Sequence, residues 1–296
     1  MRKLLAISFF LFNFATHKAN GKLMKQAMIF AAGLGTRLKP LTDTMPKALV
    51  KVSDRPLLDL TIQRLQEQGY QRFVVNVHHF AQQVIDHVME KYPQDLSVNP
   101  LSPRIFISDE RDALLETGGG LKKAAPFFHE NENILIHNVD ILDNVDYEWF
   151  SRQHLAEEDA VLLVSRRKTK RYLIFDNGMR LMGWVNVDTR EIRSPFEWMK
   201  HPDAAELDLD NFLIRIRRDM TELTYHLFAF SGIHSFSPRL FKLMEQFPDR
   251  FAIMDFYLQT CHRTRIYGCL KDDLKVLDVG KLDTLEQAEK FLSLTI

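Results

Sequence analysis

The run Ala27–Val52, AMIFAAGLGTRLKPLTDTMPKALVKV, constrains this chain more than any other stretch. Met28 to Ala31 form an apolar strand pattern that passes directly into a glycine-punctuated loop, Ala32-Gly33-Leu34-Gly35-Thr36-Arg37. Further on, Lys47 stands behind Pro46. A strand, a Gly-rich turn and then two fixed cations is how an α/β protein grips a nucleoside triphosphate. The glycines let backbone N–H groups approach phosphate oxygens. Arg37 offers a planar fork of donors suited to the outer phosphates, and Lys47 a compact point charge for a single phosphoryl group. The third glycine of the dinucleotide fingerprint is missing and no Gly-Lys-Ser/Thr follows, which excludes both a dinucleotide loop and a P-loop.

The rest of the chain supplies the scaffold for such a site. Apolar strand patterns at Ala27–Ala31, Phe73–Val77, Ile105–Ser108, Ile134–Asn138 and Ala160–Val164 alternate with helical ones. Leu57, Leu58, Ile62 and Leu65 share one helix face that stops at Gly69, and Val84, Val88 and Tyr92 share the next. This alternation predicts an α/β fold: a Rossmann-like mixed, mostly parallel sheet flanked by helices, with ligands at the carboxyl ends of the strands. In the second half, Tyr172–Phe175, Leu181–Val185 and Tyr225–Ile233 read as strands. Ser237 and Pro238 start a helix over Leu240–Phe247, and Asp283 with Glu286 caps a final helix through Leu292. Glu191–Glu222, acidic and then basic, reads as an insertion.

With 39 Lys plus Arg against 39 Asp plus Glu, the chain has no global basic surface, which excludes general nucleic-acid binding. A composition of 46% hydrophobic and 26% charged residues is that of a globular protein, with no apolar run long enough for a membrane helix. Cys261 and Cys269 have no metal-ligand spacing and read as reduced thiols of a cytoplasmic protein. Arg2 and Lys3 precede an apolar run, Leu4–Phe14, like the start of a secretory signal, whereas Met24 reads as a natural first residue. Residues 1–23 are thus either an export signal or an upstream extension. The cytosolic location of triphosphates fits the second, leaving 24–296 as the working domain.

Three further segments carry chemistry. Glu116-Thr117-Gly118-Gly119-Gly120 falls at a loop-to-helix junction, where bare glycines let backbone meet the flat edge of a base. Its plainer reading is a helix N-cap at Thr117. Asn138-Val139-Asp140 closes a buried strand, an unfavourable place for a carboxylate that has no partner, and near a triphosphate a natural Mg²⁺ ligand. Leu277-Asp278-Val279-Gly280 is by itself a plain strand end.

These motifs, and nearly everything from Ala27 to Leu292, resemble the sugar-nucleotide pyrophosphorylases, nucleotidyltransferases that join a sugar 1-phosphate to a nucleoside triphosphate. The Glu-Thr-Gly-Gly-Gly form is similar to that of bacterial N-acetylmuramate 1-phosphate uridylyltransferases. Mannose- or heptose-1-phosphate guanylyltransferases are the alternative with the same motifs. The resemblance implies that Ala32–Thr36 and Glu116–Gly119 border the nucleotide, that Arg37 and Lys47 are catalytic, and that Asp140 and Asp278 hold Mg²⁺. It implies that Asn138, Ser231 and Gly232 line the sugar side. The family's Glu-Lys-Pro lysine for the sugar phosphate is missing, and Arg171, from the basic cluster Arg166, Arg167, Lys168, Lys170 and Arg171, is taken as its substitute. Val139 replaces the family's usual glycine. His78 and His79 read as structural or sugar-facing. A non-catalytic regulatory subunit of this fold is the rival from another class, opposed by the presence of both cations and both carboxylates. The expected partners are a nucleoside triphosphate and a sugar 1-phosphate, with no nucleic acid and no membrane; homo-oligomerisation is left open.

Overall fold

A computed structural model describes residues 25–94, 102–200, 205–218 and 221–295. The signal-like stretch and Met24 lie outside the described residues, as do 201–204 and 219–220 of the segment read as an insertion.

The first half holds strands β1 (Lys25–Phe30), β2 (Lys51–Val52), β3 (Arg55–Pro56), β4 (Tyr70–Val77), β5 (Arg104–Asp109), β6 (Ile134–Asn138), β7 (Ile141–Asp143) and β8 (Ala160–Ser165). The second holds β9 (Arg171–Phe175), β10 (Leu181–Asn186), β11 (Ile192–Arg193), β12 (Ala205–Asp208), β13 (Leu213–Arg218), β14 (Thr221–Phe236), β15 (Ile266–Leu270) and β16 (Val276–Asp278). The main sheet runs β11-β10-β9-β14-β6-β1-β4-β5, with β8 and β13 also on β14, β15 on β8 and β12 on β13. The β1, β4, β5 and β6 ladders are parallel, and β14 runs antiparallel to its neighbours. Strands covered on both faces read as unbroken apolar runs, and every residue of β8, parallel to β15 and antiparallel to β14, is buried accordingly.

The helices Leu57–Glu67 and Ala81–Lys91 pack their expected faces, Leu57, Leu58, Ile62 and Leu65 in one and Val84 and Val88 in the other, into one core. Gly69 follows with a φ of 89°, the left-handed stop expected of it. On the opposite face lie Glu116–Ala124 and Ile253–Thr260, over a second core that includes Leu121, Phe251 and Phe256. From β1 the chain steps to β4 and β5 on one side, whereas β6 lies on the other. That reversal puts a ligand crevice at the carboxyl ends of β1 and β6.

Three expectations are corrected. After Ser237 a 3₁₀ turn, Pro238–Leu240, leads into an α-helix that covers only Phe241–Met244. Pro248 disfavours helical backbone at Phe247, so the turn unwinds early. The last helix begins at Leu282, so Asp283 sits within its first turn rather than capping it. Lys281 N–H instead meets Thr284 Oγ1 at 3.2 Å. The presumed insertion is part of the fold: β11, β12 and β13 extend the sheet and enclose a third core with Ile214, Ile216 and Leu227.

Candidate active site

The loop after β1 is fixed from several sides. Ala31 N–H donates to Asn76 Oδ1 at 2.8 Å, and Thr42 Oγ1 donates to the Gly35 carbonyl at 2.8 Å. Gly35 has a φ of 65°, and a Cβ there would lie 2.8 Å from Thr42 Cγ2. Both constraints require glycine at this turn. A short 3₁₀ turn, Thr36–Leu38, then presents Arg37, while Pro46 leads into a second, Lys47–Leu49.

Two cation–carboxylate pairs frame the crevice. Lys47, its side chain 10% exposed, pairs with Asp140 at the end of β6. Arg37 Nη2 lies 3.5 Å from Asp278 Oδ2, with both side chains half-exposed. β16 pairs antiparallel with β7, placing Asp278 opposite Ile141, and Val279 N–H donates to the Asp140 carbonyl at 2.8 Å. A segment distant in sequence thus brings the second carboxylate beside the first.

A cavity of about 580 Å³ is lined by Ala32 through Arg37, Lys47, Glu116, Thr117, Asn138 and Asp140. A second, of about 400 Å³, shares Phe30, Thr117 and Asn138 with it and adds Arg167, Ser231, Gly232, His234 and Asp278. Of the expected residues, Gly118, Gly119 and Arg171 line neither. The amides of Gly118 and Gly119 both donate to the Phe251 carbonyl, at 2.9 and 3.1 Å. A Cβ on Gly119 would stand 2.0 Å from the Asp249 carbonyl oxygen, so these glycines let the helix press against Asp249–Phe251. Thr117 Oγ1 accepts from Ile253 N–H at 3.0 Å, and Glu116 pairs with Arg250 at 2.9 Å. Arg171 is exposed at the start of β9; Arg167 of the same basic cluster reaches the second cavity. His78 Nδ1 donates to the Glu110 carbonyl at 2.7 Å, and neither it nor His79 lines these cavities.

Sequence reasoning missed Asn76 and Glu110. Asn76 Nδ2 donates to Glu110 Oε1 at 2.8 Å, and Leu115 N–H donates to its Oε2 at 3.2 Å. Glu110 is fully buried, and burial pushes its carboxyl up, outweighing those hydrogen bonds. Through Asn76 this carboxyl ties the loop after β1 to the loop before Glu116. One signal was available: Asn76 interrupts an otherwise apolar buried strand.

A crevice at the reversal point of a mostly parallel sheet, flanked by paired cations and carboxylates, defines an α/β nucleotide-handling protein. Residues 26–294 match the family described as nucleotidyl transferase, and the chain belongs to that family. It is 45% identical over 116 residues to the N-acetylmuramate alpha-1-phosphate uridylyltransferase of Caulobacter vibrioides, a stretch covering 39% of this chain and 46% of that protein. Over 122 residues it is 34% identical to the enzyme of the same name from Neisseria meningitidis serogroup B, covering 41% and 49%. The aligned chain thus spans about half the length of the curated relatives it matches. Its fold is similar to that of the inositol-1-phosphate CTP transferase from T. maritima, with a TM-score of 0.65 at 15% identity, covering 92% of this chain and 96% of that one.

Proposed function

We propose that this protein transfers a uridylyl group from UTP to an amino-sugar 1-phosphate such as N-acetylmuramate 1-phosphate, releasing pyrophosphate. The observation that carries the reading is the convergence of Lys47–Asp140 and Arg37–Asp278 on adjoining cavities at the crevice. Both uridylyltransferase relatives support the choice of base and sugar.

The sugar phosphate is already anionic near neutral pH, so its oxygen needs no general base. That oxygen attacks the α-phosphorus; the new P–O bond forms as the bond to the pyrophosphate oxygen breaks, and pyrophosphate leaves with the electron pair. The chain must align the reactants and neutralise charge. Lys47 meets the phosphoryl group in transfer, Arg37 holds the departing pyrophosphate, and the turn at Gly33–Thr36 offers backbone to the phosphates. Substrate phosphates compete with Asp140 and Asp278 for the two cations, so binding exchanges one set of ion pairs for another.

Among the described residues no cluster of three or more His, Cys, Asp or Glu could hold a metal ion. Two hard carboxylates nevertheless fit Mg²⁺, which binds through one or two carboxylates and takes its other oxygens from phosphates and water. Asp140 and Asp278 would hold it, and it would supply neutralisation of phosphate charge. Triphosphates place the enzyme in the cytoplasm on this reading; among the described residues no helix is long and apolar enough to cross a membrane.

The test is pyrophosphate release from purified protein with each triphosphate and a panel of sugar 1-phosphates. Fastest release with UTP and N-acetylmuramate 1-phosphate is expected. Preference for GTP with mannose or heptose 1-phosphate would shift the assignment to a guanylyltransferase, and no release with any pair would overturn the catalytic reading.

A further inference from the structure

The larger cavity has a carboxylate that neither the transfer step nor the metal reading uses. Glu116 belongs to its lining, with the side chain 39% exposed. Arg250 holds only one of its oxygens: Nη2 and Nε lie 2.9 and 3.0 Å from Oε1, and Oε2 has no hydrogen-bond partner among the described residues. The backbone at Glu116 has a φ of 63°, a left-handed conformation that favours glycine. Folding alone would be better served by glycine here, because an ion pair this exposed contributes little. An outlier of this kind at a cavity wall marks a side chain with a role beyond folding.

The chemistry of a nucleoside triphosphate narrows that role. A carboxylate paired with arginine accepts hydrogen bonds and donates none, and it repels the phosphates that Arg37 and Lys47 attract. It therefore meets a donor, either an N–H of the base or a hydroxyl of the ribose. Its surroundings favour the base. Phe251 N–H donates to the Leu115 carbonyl at 3.2 Å and Ile253 N–H to Thr117 Oγ1 at 3.0 Å, which seats Ala252 beside the turn. Leu114 and Ala252 line the cavity together with Glu116 and offer apolar surface to the face of a base. The amides of Gly118 and Gly119 are already bonded to the Phe251 carbonyl, which leaves the edge of the base to a side chain. We propose that Glu116 is the base-selecting residue of this cavity: its carboxylate accepts the ring N3–H of uracil and rejects cytosine, whose N3 is itself an acceptor. This inference rests on the reading of the larger cavity as the nucleotide side of a nucleotidyltransferase.

Glu116→Gln keeps the shape and adds a donor, so its amide can serve cytosine N3 as well as uracil N3–H. The ratio of kcat/KM for UTP over CTP should fall about tenfold or more, the worth of one hydrogen bond to a charged group. The penalty for 2′-deoxy-UTP and the KM for the sugar 1-phosphate should stay within about twofold of the wild type. An unchanged UTP-to-CTP ratio would overturn the proposal, as would a loss of discrimination confined to the ribose analogue. Glu116→Gly relieves the backbone and should lose the same selectivity without a lower thermal midpoint. A lower midpoint with selectivity intact would make the side chain structural and overturn the proposal. A second measurement does not need turnover. In calorimetric titration of the full chain, 3-methyl-UTP, which has no ring N–H, should bind about tenfold or more weakly than UTP, and Glu116→Gly should bind the two within about twofold. Were that contrast seen with no pyrophosphate released from any pair, the transferase reading would fail and the assignment of Glu116 would stand. Equal binding of the two by the wild type would overturn it.

Discussion

A methyl group on Gly280 would lie 2.5 Å from Asp278 Oδ1 and 2.6 Å from Arg37 Nη2. The ion pair at the mouth of the crevice therefore occupies the space a side chain would take. Gly280→Ala should displace Arg37 and raise the KM for the triphosphate several-fold. Because both partners are half-exposed, stability should change by no more than about 0.5 kcal/mol, read by kinetics and a thermal melt on one preparation. Asp140 is the more enclosed carboxylate, and its replacement acts differently. Asp140→Asn should cut the rate by about two to three orders of magnitude and cost about 1–3 kcal/mol of stability, since the mostly buried Lys47 loses a charged partner. Full activity in that variant would remove Asp140 from the metal set. Arg167→Met should raise the KM for sugar 1-phosphates but not for UTP, because Arg167 rather than Arg171 faces the second cavity. The distinction was not legible in the sequence, where five cations fall within six positions and only the path of the chain into β9 decides which one turns inward.

Among the elements, the inner parallel strands were legible because both of their faces are covered and apolar character runs through most of their length, with single buried polar residues such as Asn76 in β4 as the exceptions. Motif residues at their ends were legible for a related reason: Arg37, Lys47, Asp140 and Asp278 are charges where folding alone has little use for them. The packing role of Gly118 and Gly119 was not legible, because what they touch, Asp249–Phe251, is remote in sequence. Gly119→Ala would drive a methyl group into a backbone carbonyl that cannot rotate away. The helix Glu116–Ala124 should shift from its seat at a cost of about 1–3 kcal/mol, seen in the denaturation midpoint, and carry Thr117 out of both cavities. Glu110 was illegible for the opposite reason. It is a single polar residue amid ordinary neighbours, and only its burial gives it meaning.

At the scale of the whole molecule, one buried cluster joins the crevice strands to the surrounding helices. Asp143 at the end of β7 accepts from Tyr147 Oη at 2.8 Å and Val145 N–H at 2.8 Å, and lies 3.1 Å from His137 Nε2 and 3.5 Å from Arg64 Nη2. Burial opposes its ionisation, but the hydrogen bond and charge of His137, with Arg64, outweigh it and hold the carboxyl below its ordinary value. A folded-state pKa below the unfolded one contributes stability that is present above the unfolded value of about 3.8 and lost as pH falls through the folded one. The wild type should therefore lose stability on acidification below about pH 4, and Asp143→Asn should flatten that part of the curve while lowering the plateau at neutral pH. Denaturant midpoints measured across the acid range check both. Identical acid limbs would mean that other carboxylates dominate.

β14 runs for 16 residues, its earlier part pairing with β9 and β13 and its last residues with β6, with a register shift against β8 around Gly232, whose φ is 86°. A ladder that breaks step at one glycine decouples what lies on either side. The outer strands β9 and β13 hang from the earlier part of β14 and the crevice strand β6 from its last residues, while the joint between them puts Ser231, Gly232 and His234 into the lining of the second cavity.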